Sequence, residues 1–256
     1  MQSFNYHTHT IRCGHAVGKD EEYIQNAIKS GFQVLGFSEH LGYDGWDDPQ
    51  ERIPFLEMDA YFQRMYELKE KYKDQIEIRV GVEFEYFEDK KEYLKDVQSR
   101  CDYMIVGQHA KNFDQYYDHG CSDDDVDYMA EQVITALDAK LTTYVAHVDY
   151  FMLGKEDFTT RNEEAIARIC DAVNRNDAVL EINLKGMKYG KKVYPTGMQY
   201  MYPHYDVFKI IANKGCKVVF GYDAHNPSVL LDRSLEQTAQ KEMQGLQLHF
   251  IDTLKL

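Results

Sequence analysis

The stretch SFNYHTH, Ser3-Phe4-Asn5-Tyr6-His7-Thr8-His9, reads as a short strand that runs into two imidazoles. Side chains two apart on an extended chain point the same way, so His7 and His9 can reach one ion. The same pattern recurs along the chain. His40 closes VLGFSEH, Glu83 follows RVGV, His109 follows YMIVGQ, His147 follows TTYVA, and Asp223 and His225 follow KVVFGY. Six separated segments thus place a metal-type side chain where a strand would end.

Working outward, seven β-branched or aromatic runs predict strands at Ser3–His7, Val34–Ser38, Ile76–Phe84, Tyr103–Gly107, Thr143–His147, Val179–Asn183 and Lys217–Tyr222. Helical periods between them predict helices at Glu21–Lys29, Met58–Tyr72, Lys90–Ser99, Asp124–Lys140, Thr160–Asn174 and Tyr205–Lys214, with a closing helix at Leu235–Met243. Asp20, Asp59, Ser122 and Thr160 read as helix starts, and Gly31 and Gly215 as stops. This alternation fits either an open doubly wound sheet or a closed barrel. An open sheet gathers its site at one crevice, whereas a barrel aims every strand end at one ring. Chemistry at six of seven ends predicts an α/β fold with a distorted, seven-stranded (β/α) TIM-like barrel, its metal site at the C-terminal strand ends.

The 256 residues suit one domain spanning residues 1–256, and no linker or low-complexity tract divides them. A formal charge of −14 makes a poor surface for wrapping a polyanion, so no nucleic-acid partner is expected. A local group of cations could still attract a small phosphorylated metabolite. The start MQSFNYHTH has no basic and apolar leader pattern, and no apolar run approaches a membrane span, so a cytoplasmic protein with no membrane partner is expected. Five cysteines, odd in number and without a CxxC pair, read as reduced thiols, most of them packing residues.

Of the ten histidines, seven lie at predicted strand ends or, for His15, in the loop after the first; His119, His204 and His249 fall outside. Taken singly, His40, His109 and His147 read as ordinary buried histidines, but together they read as ligands. Glu83 follows a strand that looks buried, and a buried carboxylate is costly unless paired or coordinating. Bridging two cations would resolve that cost. Glu85 lies two residues on and reads as a solvated loop acid.

These residues resemble the polymerase and histidinol phosphatase (PHP) family of metal-dependent phosphoesterases. The carriers are NYHTHT with His15 following, GFSEH, GVEFEY, DYMIVGQH, VAHVDYF and GYDAHNP, in the family's order. The long segment from Asp44 to Glu83, together with EINLKG, is similar to the monofunctional histidinol-phosphate phosphatases within it. The resemblance implies the distorted barrel and three divalent ions: zinc, iron or manganese. It implies that His7, His9, Glu83 and Asp223 hold the first, His15, His40 and His225 the second, and Glu83, His109 and His147 the third. It also implies hydrolysis of L-histidinol phosphate to L-histidinol and phosphate by a metal-bound hydroxide.

The sequence departs from the family's pattern at Gln108, at Tyr222 and at Lys188, where relatives tend to carry serine, serine and arginine. Arg161 and Lys188 are the expected phosphate contacts. The competing reading of Arg161 is a helix-start residue pairing with Glu163 or Glu164. The loop Tyr43–Asp48 could form an acidic, aromatic rim for a cationic leaving group or be a solvated turn. At the end of the sixth strand, Glu181 and Asn183 offer no ligand and are expected to face the substrate. The alternatives are a phosphoesterase of the same family acting on a nucleotide, phosphotyrosine or a diester, amide hydrolysis on a metal barrel, and a non-enzymatic metal-binding module.

Overall fold

A computed structural model describes residues 1–254, and in it short strands lead helices around a curled sheet. The sheet strands are β1 (Phe4–Asn5), β2 (Val34–His40), β3 (Glu77–Phe84), β4 (Tyr103–Val106), β5 (Tyr144–Val145), β6 (Val179–Asn183), β7 (Lys217–Gly221) and β8 (His249–Phe250). They lie side by side in chain order, and every pair is parallel. Seven are the expected strands; β8 was not foreseen, because its two residues carry no periodic signal.

The eighth strand explains the distortion. It pairs with the start of β7, Lys217 opposite His249 and Val218 opposite Phe250. At the other end of β7 the ring closes directly onto the segment after β1, through a parallel bridge between Thr8 and Ala224 and the bonds His9 N to Ala224 O (3.0 Å) and Ala224 N to His7 O (3.1 Å). Between these levels side-chain amides stand in for a ladder. Gln2 exchanges two bonds with the Phe220 backbone, and Asn5 Oδ1 accepts from Tyr222 N at 3.0 Å.

Seven helices cover the outside: α1 (Asp20–Lys29), α2 (Met58–Tyr72), α3 (Lys91–Arg100), α4 (Asp123–Asp138), α5 (Thr160–Arg175), α6 (Tyr205–Asn213) and α7 (Ser234–Glu242). On α4, Val126, Met129, Ala130, Val133 and Leu137 are buried, a helical spacing that seals one face against the sheet. Its start is the expected one: Ser122 and Asp125 cap each other's backbone. Three other starts shift, among them Asp59, which lies inside α2 because that helix begins at Met58. Thr159, not Thr160, caps α5, and Asp20 lies inside α1, where it receives a two-point bond from Arg12. Inside the barrel, Phe4, Tyr6, Tyr103, Ile105, Tyr144 and Val219 form a plug beneath the mouth.

β5 ends at Val145 and β7 at Gly221, short of the expected His147 and Tyr222, and β1 runs only from Phe4 to Asn5. His147 and Asp223 both take positive φ, +22° and +45°. Such backbone costs about 1–3 kcal/mol for a residue other than glycine and tends to gather at functional sites. Two antiparallel hairpins that the sequence pattern did not reveal, Ala110–Asn112 with Gln115–Tyr116 and Lys191–Tyr194 with Gly197–Tyr200, follow β4 and β6. No helix among the described residues is long and apolar enough to cross a membrane.

Candidate metal centre

Glu83, near the end of β3, is 1% exposed and lies among five imidazoles. Its two oxygens divide them. Oε2 is 3.1 Å from His7 Nε2, 3.3 Å from His9 Nε2 and 3.2 Å from His40 Nδ1. Oε1 is 2.8 Å from His147 Nε2 and 3.6 Å from His109 Nε2. Gly107 leaves room for this carboxylate, since a Cβ there would meet Glu83 Oε1 at 1.8 Å. Asp223 closes the ring, its Oδ1 3.3 Å from His9 Nε2 and 3.6 Å from His7 Nε2.

The rings lie almost in contact. His9 stacks on His40 and on His225 at 4.1 Å, and His15 stacks on His225 at 4.5 Å. His15 is the most open of them, and its Nδ1 meets the carbonyls of Cys13 (3.1 Å) and Gln50 (3.0 Å). That pairing makes Nδ1 the protonated nitrogen and leaves Nε2 as a donor to a cation. His225 is held alike, Nδ1 to Asp223 O at 2.9 Å.

An outer layer of carboxylates sets the remaining rings. Glu181 Oε2 meets His7 Nδ1 at 2.8 Å, and Glu85 Oε1 meets His109 Nδ1 at 3.0 Å. Glu39 lies 3.4 Å from His9 Nδ1. A carboxylate behind a histidine fixes its tautomer and raises its basicity as a ligand. Glu85 is therefore not the solvated loop acid expected of it: it is 1% exposed and also takes both arms of buried Arg52, at 3.1 and 3.2 Å. Glu181 and Asn183 also depart from expectation. Instead of facing a substrate, Asn183 Nδ2 bonds Glu181 Oε1 (2.6 Å) and Asp223 Oδ2 (3.1 Å).

Electrostatics in the cluster pull in opposite directions. Burial opposes ionisation of Glu83, yet the field of His7, His109 and His40 holds it well below the usual carboxylate range. Burial likewise opposes a proton on His9, but Asp223, Glu39 and Glu83 raise it to about 9. His40 and His225 go well below their ordinary value, through burial and then the charge of His9. Protons alone do not satisfy this arrangement, because His9 Nε2 and His147 Nδ1 are buried without a hydrogen-bond partner. The donor set, imidazole nitrogen with carboxylate oxygen, fits divalent metal ions. Ligand atoms converge within 4.8 Å in the groups His7, His9, Glu83; His15, His40, His225; His40, Glu83, His109; and His7, His147, Asp223. All nine expected ligands are thus brought together. Cys13 also lies near His9 and His225, but burial pushes its thiol far up and Sγ donates to Thr10 O.

The two expected phosphate contacts part company. Lys188 stands at the rim of the cavity over the cluster, its ammonium disfavoured by burial and by neighbouring Lys185. Arg161 is not brought to the cluster. It lies half-exposed on α5 and reaches across to Asp124 (2.7 Å) and Asp127 on α4, not to Glu163 or Glu164. Lys185, which the sequence did not single out, is nearer the centre, with Nζ 3.3 Å from both Asp223 Oδ1 and His225 Nε2. Its signal was weak: one more lysine in a basic stretch. The loop Tyr43–Asp48 is only half a solvated turn, since Tyr43 and Trp46 are buried and Trp46 stacks on Arg52 at 3.4 Å. The departures at Gln108 and Tyr222 are braces: Gln108 bonds Tyr86 N and Ala110 O at 2.8 Å, and Tyr222 donates to Glu236 at 2.8 Å.

Two cavities open on the cluster. One, of about 220 Å³, has His40, His109, His147 and Asp223 in its floor. The other, of about 750 Å³, runs past His15, Asp223 and His225 to an apolar wall of Leu184, Met187, Val229 and Leu235.

The chain is similar to a protein named histidinol-phosphatase from Bacillus subtilis, with 24% identity over 260 residues, covering 88% of this chain and 94% of the relative. A protein named probable histidinol-phosphatase from Schizosaccharomyces pombe is 27% identical over 252 residues, covering 86% and 80%. The fold matches the crystal structure of histidinol phosphate phosphatase from Lactococcus lactis, solved with zinc, L-histidinol and phosphate, at a TM-score of 0.68 and 17% identity, over 98% of this chain and 95% of that one. The family model of the PHP domain matches residues 5–185, from the first strand through seven of the nine expected ligands to just past the end of β6, and the chain belongs to that family.

Proposed function

We propose that this protein hydrolyses L-histidinol phosphate to L-histidinol and phosphate, a step of histidine biosynthesis, at a centre of three divalent ions. The observation that carries the reading is the division of Glu83, one oxygen toward His7, His9 and His40 and the other toward His109 and His147. Such a division would let Glu83 serve two cations at once. His7, His9, Glu83 and Asp223 would hold one ion, His15, His40 and His225 a second, and Glu83, His109 and His147 a third. Zinc, iron and manganese all suit these ligands. Bound there, such ions supply Lewis acidity toward a phosphoryl oxygen and toward water.

The chain's own residues do the rest. Glu181, Glu85 and Glu39 fix the rings of His7, His109 and His9, so the ligand nitrogens keep their direction. Lys185 and Lys188 present ammonium groups where a phosphate dianion would lie. The similarity to histidinol-phosphatases over most of both chains supports this substrate. Five cysteines, none of them in a disulfide, suit the reducing cytoplasm.

The test is phosphate release from a panel of phosphorylated metabolites by protein purified without chelator, with its metal content measured. Brisk turnover of histidinol phosphate beside two or more equivalents of metal is expected. Negligible turnover of histidinol phosphate, beside rapid hydrolysis of a nucleotide, phosphotyrosine or a diester, would move the protein to another substrate of the same family.

A further inference from the structure

The smaller cavity is bipolar. Lys185 and Lys188, after β6, bring positive charge to its rim, while Asp118, after β4, and Glu51, after β2, bring negative charge. The cations and anions of this rim differ in how they are satisfied. Arg52 also lines the cavity, but its charge is taken up by Glu85, by the Leu41 carbonyl and by stacking on Trp46. Asp118 and Glu51 have no lysine or arginine within 4.0 Å among the described residues; the imidazoles of His119 and His15 lie 3.9 Å from them. Asp118 Oδ1 is sealed from solvent without a hydrogen-bond partner, while the side chain as a whole is 28% exposed and lies beside the Tyr150 hydroxyl. A buried carboxylate oxygen without a donor is costly, and a ligand that brings one recovers that cost.

Aromatic faces join these carboxylates to the metal ligands. The Tyr150 ring lies 4.9 Å from His109 and 5.5 Å from His147, and 5.9 Å from Tyr202, which in turn lies 5.7 Å from Tyr189. Asp118 is among the charges that act on the Tyr150 hydroxyl. A cation placed between such rings and a carboxylate gains from both. The larger cavity is walled mainly by aliphatic side chains away from the cluster, and its outer acid, Asp232, already accepts from Ser234 N and Oγ.

We infer that Asp118 and Glu51, with the faces of Tyr150 and Tyr189, bind the ammonium of the leaving alcohol, so that the site selects phosphate monoesters of amino alcohols. This rests on the phosphatase reading above and adds the groups that choose among its substrates. The phosphoryl group lies toward the cluster and the two lysines, and the amine toward Asp118. A neutral ester of the same size leaves Asp118 Oδ1 without its donor.

The experiment compares histidinol phosphate with its Nα-acetyl derivative, which keeps the phosphate and imidazole and loses the ammonium. Metal-loaded wild type, D118N, E51Q and D118E are assayed after a melting curve confirms folding. The wild type should prefer the free amine by ~10–100-fold in kcat/KM, the range for a hydrogen bond to a charged group. D118N should bring that ratio close to one, mainly through KM for histidinol phosphate; E51Q should lower it less, and D118E should restore part of it. An unchanged ratio in D118N and E51Q overturns the inference. If the wild type hydrolyses neither ester, the phosphatase reading fails instead. The inference is then decided by calorimetry with histidinol: weaker binding to D118N than to wild type upholds it, and equal binding overturns it.

Discussion

Two parts of this molecule are crowded with charge: the mouth of the barrel and the seam between α4 and α5. On the seam, Arg161 and Arg168 reach Asp124, Asp127 and Glu131, and all five side chains are at least a third exposed. Water and salt screen such pairs, and they contribute little. At the mouth, Glu83, Asp223, His7 and His9 are at most 4% exposed, and their mutual distances leave buried nitrogens without partners. Density of charge therefore does not mark the site. Charge withdrawn from water and left incompletely paired does, because only a further cation completes it.

The comparison can be broken most severely at Glu83. E83Q should lose at least one equivalent of metal, by elemental analysis, and lose more activity than the ~10–100-fold expected for removal of an outer hydrogen-bond partner. Retention of full metal content would mean that the mouth is no more demanding than the seam. Next comes Arg52, 2% exposed and bonded to Glu85. R52M should destabilise the fold by about 3–5 kcal/mol in denaturant titrations, because Glu85 is left buried without its cation and with His109 as its remaining side-chain partner. Adding E85Q to R52M should recover part of that loss; no recovery would show that Arg52 acts through packing on Trp46 alone. E181Q leaves the ligands in place and frees the His7 ring, so metal affinity should fall ~10–100-fold by titration against a competing chelator.

A smaller effect is expected from pH on the metal-free protein. His9 is raised from 6.5 to about 9, so its proton stabilises the fold fully below about 6.5, and that contribution is lost as pH rises through about 9. Denaturation of chelator-treated protein between these limits should show falling stability. Metal-loaded protein should lack that slope, since its ligands are already deprotonated. The smallest effect belongs to the seam: R161A should leave metal content and kcat/KM unchanged. A raised KM would bring Arg161 back as a phosphate contact and overturn the distinction between the two regions.

Much of this was legible in order along the chain. Alternating strands and helices gave the α/β class, and the recurrence of His, Glu or Asp at strand ends gave the barrel and eight of the nine residues that converge; His15, in a loop, came with the family resemblance. Period-2 alternation explains why: in HTH and in DAH, inward aim follows from local geometry. The same argument missed Glu181 and Glu85, whose partners lie 174 and 24 residues away, at His7 and His109. It assigned both to solvent or substrate because a lone acid in sequence does not say what stands behind it. Arg161 failed in the opposite way. Its place at a helix start was read correctly, but its direction was fixed by the acidic face of α4, which no local pattern around Arg161 encodes.

What the sequence by itself determined is the ligand inventory and the order of strands, because both rest on short-range periodicity and on side-chain chemistry. The tertiary structure decided how Glu83 divides its oxygens, which carboxylates stand behind which rings, where β8 adds to the sheet beside β7 and which lysine stands nearest the centre. Those depend on close approach between segments far apart in the chain, as where Gly107 leaves the space that Glu83 fills. Such distances are set by packing of the whole barrel, not by any one stretch of it.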